Sequence, residues 1–343
     1  MTALEFLVLS KGHGLLPIYH RLRRTGHNTK LVIWNSRLES SWAGLVEPDL
    51  KRDRDGLTKE SLLPFIDNAK SGNTVVVTDV PTASEWFAEA EWLYGVGPSH
   101  GEAPADSVLF GGWYTGDKVN NLHLLVPDWG AWVGGQGPQV MGGLTLVRSD
   151  VSWDPIAAAV ERAASKMLEA RFKGLFYFDV VEEPETGALV LHRLRTGWTP
   201  IHMHAFLAEL EGLNSLLLLG SPPALNKRFV TVVPVSQPPW PNPRQGHRRP
   251  AVEVTGLTPN QVGACFWQDI VADPTTKKIH TAGHDGLVAV ATGSADSGPL
   301  LARVRALELA MRIELPEKQY RSDAGLRVEQ ALGALEDRWG LVL

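Results

Sequence analysis

RFKGLFYFDVVEEPETGALVLHRLRTGWTP, residues 171–200, is the stretch from which the fold of this chain follows. Its runs 174–181 and 188–194 are rich in aromatic and β-branched residues, which favour strands. A polar segment carrying Pro184 and Gly187 separates the two runs. Two strand-like runs joined by such a segment predict a β-hairpin.

The second run ends in two arginines, Arg193 and Arg195. Side chains two positions apart in a strand lie on the same face of the sheet. Two interpretations follow. Cations are common on solvated edge strands, but paired guanidinium groups also match the oxygens of phosphates and carboxylates and would form an anion site. The hairpin by itself favours neither interpretation.

The composition is that of a globular protein able to bury a core. The chain has 343 residues, of which 44% are hydrophobic and 21% are charged, and this length predicts two or three domains. The net charge of −5 argues against broad nucleic-acid binding. A local basic patch at Arg244 and residues 247–249 is either a solvated loop or a site for nucleic acid or a phosphorylated substrate.

Cysteine usage and hydropathy indicate the compartment. The single cysteine, Cys265, cannot form an internal disulfide, which predicts a reducing environment. It stands in an apolar run, where a packed small residue is expected rather than a nucleophile. The apolar run 6–9 is too short for a secretory leader or a membrane span. We therefore predict a soluble cytoplasmic protein with no membrane partner.

The N-terminal residues predict a β-α-β unit, with strands at 4–9 and 29–34 and a helix at 15–24. Gly12 and Gly14 lie in the turn after the first strand. Such a turn allows a phosphate to approach a helix N-terminus. The other interpretation is a tight turn into a helix that begins with Pro17, because this proline occupies the third glycine position of the dinucleotide-binding pattern.

The rest of the chain alternates predicted strands, helices and a glycine-rich loop. The loop, residues 128–143, contains six glycines and is too long to be a passive connection. We predict helices at 61–69, 82–94, 153–172, 201–219, 299–313 and 326–339, and strands at 74–78, 107–114, 119–126, 228–235, 262–271, 278–281 and 287–292.

His202 and His204 form an HxH pair. On a strand the two rings could bind one metal ion. On a helix, residues two apart diverge, and the surrounding pattern is helical. The sequence therefore favours separate roles for the two histidines.

The C-terminal third resembles a known family. Residues 286–293 (GLVAVATG), the helix that follows and residues 320–325 (YRSDAG) are similar to the end of phosphoribosylamine–glycine ligase, or glycinamide ribonucleotide synthetase, an ATP-grasp enzyme. Four further segments resemble that family in the same order along the chain: 4–19, 137–143 (GPQVMGG), 174–197 and 226–233.

The resemblance implies an α/β, ATP-grasp-like fold with a small N-terminal β-α-β unit and a C-terminal antiparallel sheet plus helices. The expected domains are a truncated N-terminal unit at 1–60, an ATP-grasp-like central region at 61–224 and a C-terminal domain at 225–343. ATP is the expected cofactor. The resemblance assigns nucleotide or phosphate binding to Gly12, Gly14, Lys70, Gly137, Pro138, Gly142 and Gly143.

The hairpin departs from the family at its metal ligands. In the family, a Glu and an Asn on this hairpin hold Mg²⁺ against the ATP phosphates, and these positions fall here on Leu191 and Arg193. Because Mg²⁺ requires oxygen ligands, we predict no metal ligand and expect Arg193 and Arg195 to be the catalytic or phosphate-contacting residues. A shifted register would instead bring one of three glutamates of the turn to the metal: Glu182, Glu183 or Glu185.

Three functions remain open on this basis. The first is an ATP-dependent carboxylate–amine ligase, which forms an acyl phosphate that an amine then attacks, with an altered acceptor such as a modified nucleotide or base. The second is a non-catalytic homologue that binds a nucleotide, a phosphoribosyl ligand or a protein partner, because the metal positions are replaced. The third is a structural role for a surface rich in the 12 tryptophans.

Overall fold

The computed structural model describes most of the chain. Its described residues are 4–12, 14–34, 58–95, 99–100, 106–138, 140–148, 153–198, 200–210, 212–213, 216–217, 225–242 and 249–341, with the backbone alone at 99, 100 and 200.

The N-terminal unit contains a parallel sheet in the order β2-β1-β3-β4. The side chains of β1 alternate between two apolar clusters, with Phe6 and Val8 on one face and Leu7 and Leu9 on the other. Burial on both faces is typical of parallel sheets and explains the continuous apolar runs. The elements of this unit are β1 (Glu5–Ser10), α1 (Leu16–Arg24), β2 (Asn28–Ile33), α2 (Leu63–Lys70), β3 (Thr74–Thr78), α3 (Pro81–Trp86) and β4 (Trp92–Tyr94).

The helix predicted at 82–94 is wrong beyond Trp86. Helix α3 ends there, and Trp92 to Tyr94 form β4, which pairs with β3. The parallel pairing with β3 overrides the helical periodicity of the segment. Both β3 and β4 follow residue 60, so the parallel sheet continues past the first predicted domain boundary; the division into domains stays a prediction.

The larger of the two main sheets has nine antiparallel strands, in the order β12-β15-β11-β8-β7-β6-β9-β10-β5. The hairpin predicted from residues 171–200 is confirmed as β9 and β10. The strands are β5 (Ser99–His100), β6 (Val108–Tyr114), β7 (Val119–Trp129), β8 (Met141–Arg148), β9 (Gly174–Glu182), β10 (Leu189–Thr196), β11 (Phe229–Ser236), β12 (Cys265–Trp267) and β15 (Leu287–Ala295).

Helices cover both faces of this sheet. Helices α4 (Ala157–Glu169), α7 (Pro299–Arg312) and α8 (Val328–Trp339) pack on one face, which we call the outer face. Helix α5 (Pro200–Glu209) packs on the inner face, where it shares one apolar cluster with strands of the parallel sheet. The inner face therefore lies between the two sheets.

The segment after residue 258 differs from the single strand predicted at 262–271. It begins with a short helix, α6 (Pro259–Val262), which starts at a capping box between Thr258 and Gln261. Strand β12 follows, and then β13 (Ile270–Ala272) pairs with β14 (Ile279–Thr281).

Two further predictions concern the helix at 201–219 and membrane-spanning segments. The helix predicted at 201–219 ends at Glu209 as α5, and half of the remaining positions lie outside the described residues. Within the part of the chain that the structure describes, no helix has the length and apolar character needed to cross a membrane.

Candidate functional site

The inner face of the large sheet becomes polar at β9 and β10. Asp179 pairs with Arg193 across the two strands, and Tyr177 pairs with Arg195. These four residues form a continuous patch, which we call the polar strip. The prediction that both arginines project from one face is confirmed.

A β-bulge at His192 determines which side chains reach the strip. Leu191 pairs with Val180 and Arg193 with Asp179, so His192 is an extra residue on β10. In a regular strand Leu191 and Arg193 would share a face. The bulge instead places Leu191 in the apolar cluster of the outer face, while Arg193 lies on the inner face.

Arg193 and Asp179 form a buried ion pair. Their exposed fractions are 8% and 2%, and the guanidinium Nε donates to Asp179 Oδ2. Asp179 Oδ1 also accepts a hydrogen bond of 2.8 Å from Ser107 Oγ. The Arg193 guanidinium lies 5.9 Å from the centroid of the Tyr177 ring. The charge of Arg193 is therefore neutralised inside the protein.

Arg195 is the exposed cation of the strip and interacts with the Tyr177 hydroxyl. Burial raises the pKa of Tyr177, and the positive charges of Arg195 and Arg193 oppose that rise. The phenol therefore stays protonated near neutral pH and can donate a hydrogen bond beside Arg195. This pair offers a donor and a cation to an anionic ligand.

Two buried histidines lie next to the strip. His123 Nε2 and His202 Nε2 are 2.8 Å apart, and His123 Nδ1 is 2.6 Å from Asn121 O. Burial lowers the pKa of His123 to about 4, and burial followed by the charge of His123 lowers the pKa of His202 well below its usual value, so both rings are neutral. Because the Asn121 carbonyl only accepts, His123 carries its proton on Nδ1, and His202 Nε2 donates to His123 Nε2.

The HxH pair does not bind one ion. His202 faces His123, whereas the His204 ring stacks on Phe266 with 4.9 Å between centroids, and His204 Nε2 lies 3.1 Å from the Gln268 amide nitrogen. The divergence predicted for a helix is confirmed. Among the described residues, no group of three His, Cys, Asp or Glu side chains could hold a metal ion.

The polar strip does not fit Mg²⁺. Its one carboxylate, Asp179, is already bound by Arg193 and Ser107. Two of the three glutamates of the hairpin turn are already engaged elsewhere, because Glu182 accepts from Arg338 and Glu183 from Thr186. The donor set is therefore cationic and phenolic, whereas Mg²⁺ requires several oxygen ligands.

The glycine-rich loop is tied to the segment 320–325. Arg321 donates to the carbonyls of Trp129 (2.8 Å) and Gly130 (3.2 Å). Asp323, paired with Arg321, accepts from Gly134 N at 2.8 Å. Two segments that carry the family resemblance are thus in direct contact. The loop joins β7 to β8 at the end of the sheet where Asp179 also lies.

The predicted glycines of this loop allow close packing. A Cβ on Gly137 would lie 2.7 Å from the Trp132 ring. One on Gly142 would overlap the carbonyl of Gly130, and one on Gly143 would lie 3.1 Å from Asp128 Oδ2. Pro138 O accepts from Ala131 N at 3.0 Å, which closes the loop. Phosphate binding by these residues stays a prediction.

The predicted phosphate binders of the N-terminal unit do not come together. Gly12 and Gly14 follow β1 at the carboxyl edge of the parallel sheet, whereas Lys70 precedes β3 at the opposite edge. Lys70 is paired there with Glu89 at 2.7 Å. Five residues of strand, about 17 Å, separate the two edges.

The carboxyl edge holds a residue that the sequence reasoning missed. Asp79 accepts from Lys11 N at 2.5 Å and from Ser10 Oγ at 3.3 Å. Burial raises the pKa of Asp79 to about 6, although these hydrogen bonds oppose the rise. Trp198 Nε1 donates to Tyr94 O, which brings this edge close to the end of β10.

A sequence signal existed for the missed residues. Asp79 directly follows a buried parallel strand, a position where ligands commonly bind in α/β folds. Tyr177 and Asp179 alternate with Phe176 and Phe178, which is the two-residue period of a strand with one polar face.

The sequence offered two other candidates, the basic patch at Arg244 and residues 247–249 and the single cysteine, Cys265. Arg244, His247 and Arg248 of the basic patch lie outside the described residues, and Arg249 pairs with Glu317. Cys265 is buried, and burial raises the pKa of its thiol to about 12, in keeping with the packed residue predicted.

The fold resembles solved structures over almost the whole chain. Phosphoribosylamine–glycine ligase from Thermotoga maritima aligns with a TM-score of 0.62 and 13% identity, covering 94% of this chain and 100% of that one. A biotin carboxylase domain of a single-chain bacterial carboxylase aligns with a TM-score of 0.54 and 10% identity, covering 93% and 91%. Pyruvate carboxylase from Rhizobium etli aligns with a TM-score of 0.55 and 13% identity, covering 99% of this chain and 40% of that one.

These likenesses show the fold. The chain has an ATP-grasp fold like that of phosphoribosylamine–glycine ligase, as the sequence resemblance predicts. No protein-family model and no curated protein matches the sequence.

Proposed function

We propose that this protein binds ATP or a related phosphorylated ligand on the polar strip without using a divalent metal, and that it does not carry out phosphoryl transfer. One observation carries the proposal. The two positions that the resemblance assigns to metal ligands are occupied by Leu191 in an apolar cluster and by Arg193 in a buried ion pair with Asp179.

The strip is suited to polyphosphate. Guanidinium groups form charge-assisted, forked hydrogen bonds to phosphate oxygens, and Arg195 is exposed while Arg193 is already neutralised. The Tyr177 hydroxyl can add a hydrogen bond beside Arg195. The glycine loop lies at the same end of the sheet as Asp179.

Binding and transfer make different demands. Bound ATP would supply an electrophilic γ-phosphoryl group, and its transfer depends on metal ions that neutralise developing charge. On the strip, the exposed Arg195 provides one cation. Asp179 is already bound by Arg193 and Ser107, so it does not act as a metal ligand. The same residues therefore support recognition of the phosphates and leave the charge of a transfer step uncompensated.

The role of Arg195 can be tested by calorimetric titration with ATP. We expect Arg195→Ala to weaken ATP binding by roughly tenfold or more, the effect of losing a charge-assisted hydrogen bond. Arg162→Ala is the matched control, because Arg162 is an exposed arginine on α4, which packs on the outer face. Equal affinities for the two variants would refute a site on the strip.

A second function, an ATP-dependent carboxylate–amine ligase with an altered acceptor, is favoured by Asp79. A carboxyl group whose pKa is about 6 can take a proton from an attacking amine near neutral pH. It lies at the carboxyl edge of the parallel sheet, next to the turn at Gly12. Release of ADP with an amino acid and an amine acceptor, abolished by Asp79→Asn, would establish this function in place of the first.

A further inference from the structure

A cleft of about 1080 Å³ lies at the opposite end of α5 from the polar strip. Its walls are α1, the C-terminal end of α5, the segment from α6 through β12, and the part of β15 that β12 leaves uncovered. The strip lies near His202, in the first turn of α5, whereas the cleft is lined by residues 207–209 at its end. None of the predicted site residues lines it.

The cleft is strongly cationic. Arg21, Arg23 and Arg24 of α1 and Arg305 of α7 line it, and among the described lining residues Glu209 is the single carboxylate. Clefts lined by one sign of charge concentrate ligands of the opposite sign. The hydrogen-bond acceptors described next are carbonyl and hydroxyl oxygens, which leave the positive charge of the cleft in place.

Arg21 donates to the carbonyls of Leu207 and Leu210, and Arg305 donates to Ser294 O at 2.5 Å. These bonds fix the guanidinium groups without cancelling their charge. Arg23 donates to the Tyr19 hydroxyl at 2.9 Å. Arg24 is exposed and makes no hydrogen bond or ion pair within the described part of the chain.

The pKa shifts agree with a positive potential in the cleft. Burial and then the charge of Arg24 lower the pKa of Arg21. Burial and then the charge of Arg23 lower the pKa of His20 to about 4, so this ring is neutral at physiological pH. A bound anion would relieve the repulsion among these groups.

The dipole of helix α1 explains only some of the arginines that line the cleft. Cations in the last turn of a helix are stabilised by its dipole, and this explains Arg23 and Arg24. It does not explain Arg305, which comes from a different helix and points to the same cleft. The convergence of arginines from two elements on one concavity requires a further reason.

One wall of the cleft is aromatic and rigid. The Phe266 ring stacks on His204, and Trp267 Nε1 donates to Val262 O at 3.2 Å. Both rings are partly exposed. Leu207, Ile270 and Ile279 extend this wall with aliphatic surface. Ligand sites combine such an apolar wall with a few polar groups that fix orientation.

We propose that this cleft binds a nucleoside monophosphate or an organic phosphate of similar size, at a site separate from the polar strip. The arginines hold the phosphate, and the rings of Phe266 and Trp267 contact the base. The ligand must carry both a ring and a negative charge, because the arginines contact only its phosphate and the aromatic wall contacts only its base.

The first test fills the cleft. Gly263 lines it, has ordinary helical φ, and a Cβ there meets only Asn260 O at 3.7 Å. Gly263→Trp is therefore expected to fold and to abolish calorimetric binding of AMP. Gly333→Trp is the matched control, because Gly333 is exposed on α8 with nothing within 4 Å of an added Cβ, and it should bind AMP like the wild type.

The second test changes the charge. Arg24→Glu should weaken AMP binding roughly tenfold or more, whereas Arg162→Ala should leave it unchanged because Arg162 is an exposed arginine on α4, on the outer face. Adenosine and inorganic phosphate should each bind at least about tenfold more weakly than AMP.

Several results would overturn the proposal. They are an absence of AMP binding to the wild type, AMP binding that survives both Gly263→Trp and Arg24→Glu, and AMP binding that Arg162→Ala weakens as much as Arg24→Glu does. Binding of adenosine or of inorganic phosphate as tight as that of AMP would show that one wall alone makes the site, and would also overturn it.

Discussion

At the scale of single residues, Gly111 shows how tightly the inner face is packed. A Cβ on Gly111 would lie 2.6 Å from His123 Nε2 and 2.7 Å from His202 Nε2. We expect Gly111→Ala to separate the two rings and to destabilise the protein by about 1–3 kcal/mol. Urea unfolding measures this change.

Gly333→Ala is the control for that substitution. It adds the same methyl group at an exposed helical site and should stabilise the protein by about 1 kcal/mol. A Gly111→Ala variant as stable as the wild type would mean that the histidine pair is not packed as described.

The pair Arg193–Asp179 is a second residue-scale determinant. Asp179→Asn preserves the shape of the side chain but leaves a buried guanidinium without its counter-charge, so we expect a loss of about 3–5 kcal/mol. The double variant Asp179→Leu with Arg193→Met should recover most of that loss, because apolar replacements of buried pairs are often neutral. Unfolding in urea measures both.

Arg338→Ala is the comparison for this pair. It breaks the more exposed pair with Glu182 and should cost at most about 1 kcal/mol. If Asp179→Asn costs no more than Arg338→Ala, the strip is more hydrated than its burial indicates.

At the scale of elements, the contact between the glycine loop and residues 320–325 determines the order of the loop. Arg321→Gln removes the donors to Trp129 O and Gly130 O and the partner of Asp323. Losing hydrogen bonds from a charged group costs about 2 kcal/mol, so amide hydrogen exchange of the loop should accelerate about thirtyfold. Mass spectrometry of a peptide spanning the loop reads this change.

If Arg321→Gln leaves exchange in the loop as slow as Arg338→Gln does, the loop is ordered by its own turns and not by the C-terminal segment.

Periodicity in the sequence predicted the elements that local patterns control. The hairpin at residues 171–200 was recognisable because its two runs and its Pro/Gly turn all favour the same structure. Strand β4 was not, because Trp92 to Tyr94 become a strand only through pairing with β3. The bulge at His192 was equally hidden, since it arises from the register of two strands and not from one of them.

The candidate site was predictable only in part. The shared face of Arg193 and Arg195 follows from a two-residue period, but their different burial depends on the position of Asp179 on the neighbouring strand. The separation of Lys70 from Gly12 follows from the parallel order of β1 and β3, which the sequence does not specify.

At the scale of the whole molecule, buried histidines make stability depend on pH. Burial lowers the pKa of His123 to about 4 and of His204 to about 3, below the 6.5 of an unfolded chain. Their contribution is therefore present above pH 6.5 and is lost as the pH falls towards 4, by about 2 kcal/mol each at pH 5. The raised pKa of Asp79 has the opposite effect and increases the free energy of unfolding by about 1 kcal/mol at pH 5.

His123, His204 and Asp79 together give an expected loss of about 2–3 kcal/mol between pH 7 and pH 5, and the lowered pKa values of His20 and His202 add to this loss. Urea unfolding at each pH measures the total. His204→Gln should remove about 2 kcal/mol of this dependence, because the amide does not titrate. A stability that is flat over this range would show that the histidines are solvated.

The central claim is that an ATP-grasp fold binds its ligand here through Arg195 without a divalent metal. The most direct measurement is calorimetric titration of the full chain with ATP, once with EDTA and once with Mg²⁺. We expect dissociation constants that agree within about threefold, and no ADP release. ATP binding that disappears in EDTA and returns with Mg²⁺ would contradict it.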